Sequence, residues 1–228
     1  STHDPFNNYS LANNVVWDIF QDNSGIIWLA TANGISQLNA NQSMFHFTPV
    51  YNQVGNNLVG NQVNDIYADK NETIWLATKK GVVAIGKFED KKTFTADKNE
   101  RTPLVMNNIN TITGDNRGRI WIGSAGGINV WDEQNKQMYT ITADFDLNKG
   151  LRSNYISAFI TPSDGSFWVL TWGGGMYKAK GDFSNVDKIF FEYIADFNTN
   201  IFTSDKKKIW LRNENKTFTI DLSTMQIS

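Results

Sequence analysis

The sequence predicts an all-β fold, a β-propeller of four-stranded antiparallel blades in about five repeats. Three observations carry this. Tryptophan returns at Trp28, Trp75, Trp121, Trp168 and Trp210, at spacings of 47, 46, 47 and 42 residues. The same turn-forming residues return at fixed offsets from each of the first four. Helical periodicity is absent, and short β-branched and aromatic runs alternate with Gly, Asn, Asp and Ser. Repeats of this length are characteristic of propeller blades.

The first repeat shows how one blade is made. Val15 to Phe20 reads as a first strand, followed by a turn signal at Asp22-Asn23-Ser24-Gly25. Ile26 to Thr31 is a second strand, and Gly34 closes the turn that follows. Ile35 to Leu38 and Phe45-His46-Phe47 supply the third and fourth. Asp can bond the amides of its own turn, and Gly tolerates positive φ there. Trp28 and the preceding Ile27 lie on opposite faces of one strand, so each can pack on a different neighbour. A sheet apolar on both faces must be covered on both. Stacked copies achieve that, whereas a β-sandwich gives no reason for the period.

The register holds through the next three copies. Leu11, Leu58, Leu104 and Leu151 stand seventeen residues before the tryptophan, and Asn14, Asn61, Asn107 and Asn154 fourteen before. Val16, Val63, Ile109 and Ile156 come twelve before it, and Ile19, Ile66, Ile112 and Phe159 nine before. Asp22, Asp69 and Asp115 come six before, with Pro162 as the exception. Gly25, Gly118 and Gly165 come three before, with Glu72 as the exception. Thr31, Thr78, Ser124 and Thr171 lie three after, and Gly34, Gly81, Gly127 and Gly174 six after. The fifth copy is worn, retaining Ile201, Ile209 and Trp210. The repeats span approximately 11–57, 58–103, 104–150, 151–192 and 193–228, forming one propeller domain or a fragment of one. Five copies allow a closed five-blade ring or an arc of a larger ring. Decay of the last suits a terminal cap, which favours the self-contained unit.

Composition narrows the function. Net charge is −2, and Lys206-Lys207-Lys208 is the longest basic run, so nucleic acid is not an expected partner. The chain has no cysteine, which excludes disulfides, zinc–thiolate centres and cysteine nucleophiles. No apolar run approaches the roughly 20 residues that span a bilayer, so this segment itself is not expected to contact a membrane.

From Leu11 through Asn14, Val16, Ile19, Asp22, Gly25, Ile27, Trp28, Thr31 and Gly34 to Ile35, the pattern resembles the two-component regulator propeller repeat, and it returns from Leu104 to Ile128. The resemblance covers residues 11 to about 178 well and 193–228 poorly. It implies the periplasmic sensor region of a hybrid two-component histidine kinase, of the kind common in gut Bacteroidetes. An immunoglobulin-like domain, a membrane helix, and kinase and regulator domains typically follow in that family. None is present in this sequence, so the chain is expected to be a piece of a longer receptor. The expected function is non-catalytic, periplasmic sensing of a glycan. The alternatives are a propeller enzyme acting on polysaccharide (a hydrolase or lyase) and a structural or dimerisation module. The expected partners are an oligosaccharide and, through the parent receptor, a second copy.

Candidate binding residues come from the loops. The turn between second and third strands shares an end of the blade with the segment leading into the first strand. Trp17 stands in a slot held by Asn64, Asn110, Ser157 and Thr199 elsewhere. Trp172, Gly173 and Gly174 form the fourth copy's turn, and Tyr155 belongs to the same end. Aromatic faces can stack on the apolar C–H surfaces of sugars. Packing beneath loops is the competing reading for these tryptophans. Trp131 is placed at the opposite end. Recurring Asp and Asn are structural, because a catalytic constellation is singular. No catalytic residues, metal ligands or cofactor are therefore expected. Asp144 to Gly150 resembles the start of a calcium loop but has Tyr155 where the distal Glu should stand. His3 and His46 lie where neither suits a general base, and no nucleophile elbow, P-loop, dinucleotide fingerprint or HExxH occurs.

Overall fold

A computed structural model describes residues 2–4, 10–22, 24–39, 44–48, 62–86, 91–144, 150–197, 199, 201–205, 207–213 and 216–228. The fold is all-β and of the β-propeller class, with five successive antiparallel sheets among the described residues. The first holds β1 (Val16–Gln21), β2 (Ile26–Thr31), β3 (Gly34–Asn39) and β4 (Met44–Thr48). The second holds β5 (Val63–Ala68), β6 (Ile74–Thr78), β7 (Gly81–Ile85) and β8 (Lys91–Phe94). The third holds β9 (Ile109–Gly114), β10 (Ile120–Ser124), β11 (Gly127–Asp132) and β12 (Gln137–Ile141). The fourth holds β13 (Ile156–Ile160), β14 (Trp168–Thr171), β15 (Gly175–Gly181) and β16 (Ile189–Ala195). The fifth has three strands, β17 (Ile201–Ser204), β18 (Lys208–Asn213) and β19 (Lys216–Asp221). Each sheet runs in simple chain order, the meander that short turns impose. The chain divides into two compact units, residues 1–112 and 113–228, with the boundary inside β9.

The repeated aspartate does more than hold its turn. Asp22 Oδ1 accepts from the amides of Ser24 (2.9 Å) and Ile26 (3.1 Å), while Oδ2 accepts from Trp28 Nε1 at 2.8 Å. Asp69 and Asp115 take the indole N–H of Trp75 and Trp121 at 3.0 and 2.9 Å. The indole can thus be buried without an orphaned donor. Where Pro162 replaces the aspartate, Ser166 Oγ accepts from Trp168 Nε1 at 2.8 Å. Sequence reasoning placed the aspartates in turns but missed this second bond. Burial opposes ionisation of Asp22, but its hydrogen bonds from Ser24, Trp28 and Ile26 outweigh burial and hold its pKa below the usual carboxylate value.

The opposite-face logic holds within the second unit. Phe167 packs in one buried cluster with Trp121, Ile128, Val130 and Phe159. Its neighbour Trp168 packs in another with Ile160, Leu170, Ile209, Leu211 and Ile220. Trp121 and Phe167 ring centroids are 4.5 Å apart. In the first unit Ala30, Ile35, Ile66, Leu76 and Val83 form the corresponding core. The repeated asparagines brace the segments between sheets: Asn107 accepts from Ala96 N at 2.7 Å, and Asn154 from Ala143 N at 2.6 Å. Asn14 accepts from His3 N at 2.6 Å, whereas Leu58 and Asn61 lie outside the described residues. Residues 145–149 of the calcium-loop-like stretch lie outside them too, as does the side chain of His46.

Candidate functional site

The loop ends of the first, second and fourth blades are built by one device. The second turn folds back on the residue before the first strand: Ala32 N donates to Val15 O (3.0 Å), Lys79 N to Gln62 O (3.4 Å) and Trp172 N to Tyr155 O (2.8 Å). Thr31 and Thr78 hydroxyls brace their turns by donating to Gly34 O and Gly81 O at 2.8 Å. In the first three sheets that turn has two residues between paired strand ends, as in Thr31↔Gly34. In the fourth it has three, because Thr171 pairs with Gly175. Gly175, not Gly174, therefore takes the place of Gly34, and it has positive φ like the others. The equal-offset reading of Gly174 is corrected on this point, since the turn gained a residue.

The enlarged turn joins three of the candidate residues to Tyr155. Ser153 Oγ donates to Trp172 O at 2.8 Å and accepts from Tyr155 N at 3.1 Å. Gly174 is buried, and its carbonyl accepts from Tyr177 OH at 2.6 Å. A Cβ at Gly174 would lie 2.6 Å from Thr171 Oγ1 and 2.8 Å from Ser153 Cβ, so only glycine fits. Gly173, at φ 74°, has open space around it. Trp172 is thus held out on a braced turn, 57% exposed, with Tyr155 42% exposed beside it in the backbone pairing. The reading in which Trp172 packs beneath loops is set aside by that exposure. Tyr177, the buried hinge of the arrangement, has its pKa raised by burial.

Trp17 belongs to the first unit and is 53% exposed. Its slot is a β-bulge: the β1–β2 register slips between Val16 and Asp18, β5–β6 between Val63 and Asp65, and β13–β14 between Ile156 and Ala158. A bulge re-aims the extra side chain. Asn64 uses it to donate to Ile109 O at 2.7 Å, and Thr199 donates to the Arg212 carbonyl. Ser157 Oγ is buried there without a hydrogen-bond partner. In the first sheet the same slot projects an indole into solvent. Trp131 is 2% exposed at the far end of β11, its indole donating to Glu133 at 2.6 Å.

The bulge also places a chain of carboxylates that sequence reasoning overlooked. Asp18 Oδ2 accepts from Ile66 N at 3.3 Å, and Asp65 Oδ2 accepts from Ile112 N at 2.8 Å. Each aspartate thereby ties one inner strand to the next. Burial, then the neighbouring Asp18 charge, raises the Asp65 pKa well above the usual carboxylate value. A raised folded-state pKa means the native state holds this proton more tightly than the unfolded chain does. Its stabilising effect is full below the unfolded value near 3.8 and is lost as pH rises through the folded value. Asp65→Asn keeps an acceptor for Ile112 N without the charge. The variant is expected to lose that alkaline fall in stability, as measured by urea unfolding across pH 4–9. An unchanged pH profile would refute the assignment.

Among the described residues no group of three or more His, Cys, Asp or Glu is placed to hold a metal. His3 Nδ1 is 2.6 Å from Leu11 O, in a bracing role. Among the described residues no helix is long and apolar enough to cross a membrane.

Comparison with known proteins agrees with the geometry. The family model "two component regulator propeller" matches residues 10–33, 57–80 and 103–126. No curated protein matches the chain. Among solved structures, the extracellular domain of a hybrid two component system from B. thetaiotaomicron superposes with TM-score 0.72 at 19% identity, over 95% of this chain and 30% of that one. A second such domain from the same organism gives 0.60 at 25% identity, over 99% and 32%. Virginiamycin B lyase from Staphylococcus aureus gives 0.66 at 16% identity, over 96% and 71%. The chain spans under a third of the two extracellular domains. The three matched segments coincide with the indole-anchored turns of the first three sheets, and these segments are two component regulator propeller repeats.

Proposed function

We propose that the chain is a non-catalytic, periplasmic sensory propeller of a hybrid two-component receptor, and that it binds an oligosaccharide at the blade end bearing Trp172 and Tyr155, with the blade end bearing Trp17 as a separate candidate of its own. The observation that carries the reading is Trp172, 57% exposed yet fixed through Trp172 N to Tyr155 O and Ser153 Oγ to Trp172 O. A solvent-facing indole on a turn whose backbone is braced gives a sugar an apolar face. Trp17, projected by its bulge, offers a second platform of the same kind. The three matched repeats and the likeness to the two B. thetaiotaomicron extracellular domains support the receptor context. The likeness to the lyase, at 16% identity, is one of fold alone.

In a receptor, binding would signal only through different affinities for two states. A glycan array followed by calorimetry tests the reading. The expected result is a glycan whose affinity falls about tenfold in Trp172→Ala, the size of one lost aromatic contact. Equal binding by wild type, Trp172→Ala and Trp17→Ala would sink the site. Release of cleaved product would favour the enzyme, and absence of any glycan ligand the structural module.

A further inference from the structure

The first unit contains a cavity of about 650 Å³ between its first two sheets. It lies at the end of β1 that leads into the Asp22–Gly25 turn, the other end of the strand from Trp17. That volume is in the range of small-molecule sites. Its origin is readable in the repeat. Phe20, Trp28 and Gln37 sit side by side across β1, β2 and β3, through the pairs Phe20↔Trp28 and Trp28↔Gln37. They line the cavity together with Ala68, Ile74 and Ile85 of the second sheet. At the position of Ile74 the fourth sheet has Phe167, whose ring packs 4.5 Å from that of Trp121. At the position of Gln37 the third sheet has Val130, which is fully buried. A smaller residue and a polar one thus replace the two that fill the corresponding space in the second unit. Trp75, Trp121 and Trp168 are buried, whereas Trp28 keeps part of its surface exposed.

We infer that this cavity is a second binding site, for an uncharged, hydroxyl-rich ring compound of mono- or disaccharide size. The Phe20 and Trp28 rings offer apolar faces for C–H surfaces, and the Gln37 amide can both donate to and accept from hydroxyls. Among the described residues the lining carries Asp22, Asp69 and Glu72 against Lys91, an excess of negative charge that disfavours anionic ligands. The two aspartates already accept from the indoles of Trp28 and Trp75, so they support the wall rather than bind as free charges. Glu72 stands where the first, third and fourth repeats have glycine, in left-handed backbone at φ 64°. A carboxylate is kept at the cavity at the cost of local strain.

This goes beyond the loop-end reading and is tested separately from it. Maltose, cellobiose and lactose are titrated into the chain by calorimetry and by saturation-transfer NMR, alongside glucuronate as the charged control. At least one neutral disaccharide is expected to bind and glucuronate is not. Ile74→Phe, which supplies the ring present in the fourth sheet, should abolish that binding while the protein still melts cooperatively. Gln37→Leu should weaken it about tenfold, the size of a lost hydrogen bond to a buried partner, and serves if Ile74→Phe does not fold. Trp172→Ala should leave this binding unchanged. Failure of all three disaccharides to bind at tens of millimolar overturns the inference, as does binding that survives both cavity variants or a preference for glucuronate.

Discussion

Asp115→Ala is expected to destabilise the protein by about 3–5 kcal/mol, the range for breaking a buried charge pair. Asp115 is the repeated turn aspartate with an additional partner. Its Oδ2 accepts from Arg119 Nε at 2.7 Å, and Arg119 Nη2 lies 2.6 Å from the same oxygen. The side chains are 5% and 6% exposed, so the guanidinium would be left buried without the carboxylate that it contacts. Nη2 meets that oxygen as an ion-pair contact without hydrogen-bond geometry, and the Arg119 charge also acts on Asp132. The same substitution also strands Trp121 Nε1 and the amides of Arg117 and Arg119. Asp22→Ala is the internal comparison. It removes the equivalent indole and amide bonds, but Ile26 stands where Arg119 does, so about 1–2 kcal/mol is expected. Urea unfolding of both variants decides it, and equal losses would show that the ion pair contributes nothing.

Trp121→Ala is expected to cost about 3–5 kcal/mol, as for other aromatic truncations in close-packed cores. Trp121 is fully buried against Phe167 at 4.5 Å and Phe159 at 6.4 Å. Its removal would empty the middle of a cluster whose remaining members belong to two sheets and cannot collapse independently. Trp28→Ala should cost less, because Trp28 already borders open volume. Trp172→Ala, at an exposed indole, should change stability by under about 0.5 kcal/mol. Scanning calorimetry of the three tryptophan variants gives the ranking. A Trp28 loss as large as that of Trp121 would contradict the packing difference between the first and third sheets.

Much of the architecture was legible because the repeat states it four times. A position that returns in register, such as Asp22, Asp69 and Asp115, reveals a turn without knowledge of its partners. So does the pairing of Trp168 with the preceding Phe167, whose opposite faces follow from the two-residue period of a strand. The indole bond to the aspartate was available to the same logic through its constant six-residue offset, and Ser166 beside Pro162 is the compensating signal. The sequence counted Gly174 as equivalent to Gly34 by offset alone. Only the hydrogen-bonded register exposed the extra residue in that turn and moved the role to Gly175.

The candidate sites divide in the same way. Trp17, Tyr155 and Trp172 stood out because they break the repeat, and a departure from an internal pattern is visible in one sequence. Their exposure, the bulge that projects Trp17 and the Ser153 brace beneath Trp172 depend on chain segments meeting from far apart. The Asp65 link to Ile112 had no local signature, and the departures at Ile74 and Gln37 marked a cavity beside Trp28 only once their neighbours across the sheets were known. By itself the sequence determined the strands, turns and repeat, since these follow from short-range sterics and alternation. The tertiary structure decided which carboxylate is desolvated and where volume is left unfilled, because burial and packing belong to neighbours distant in the chain.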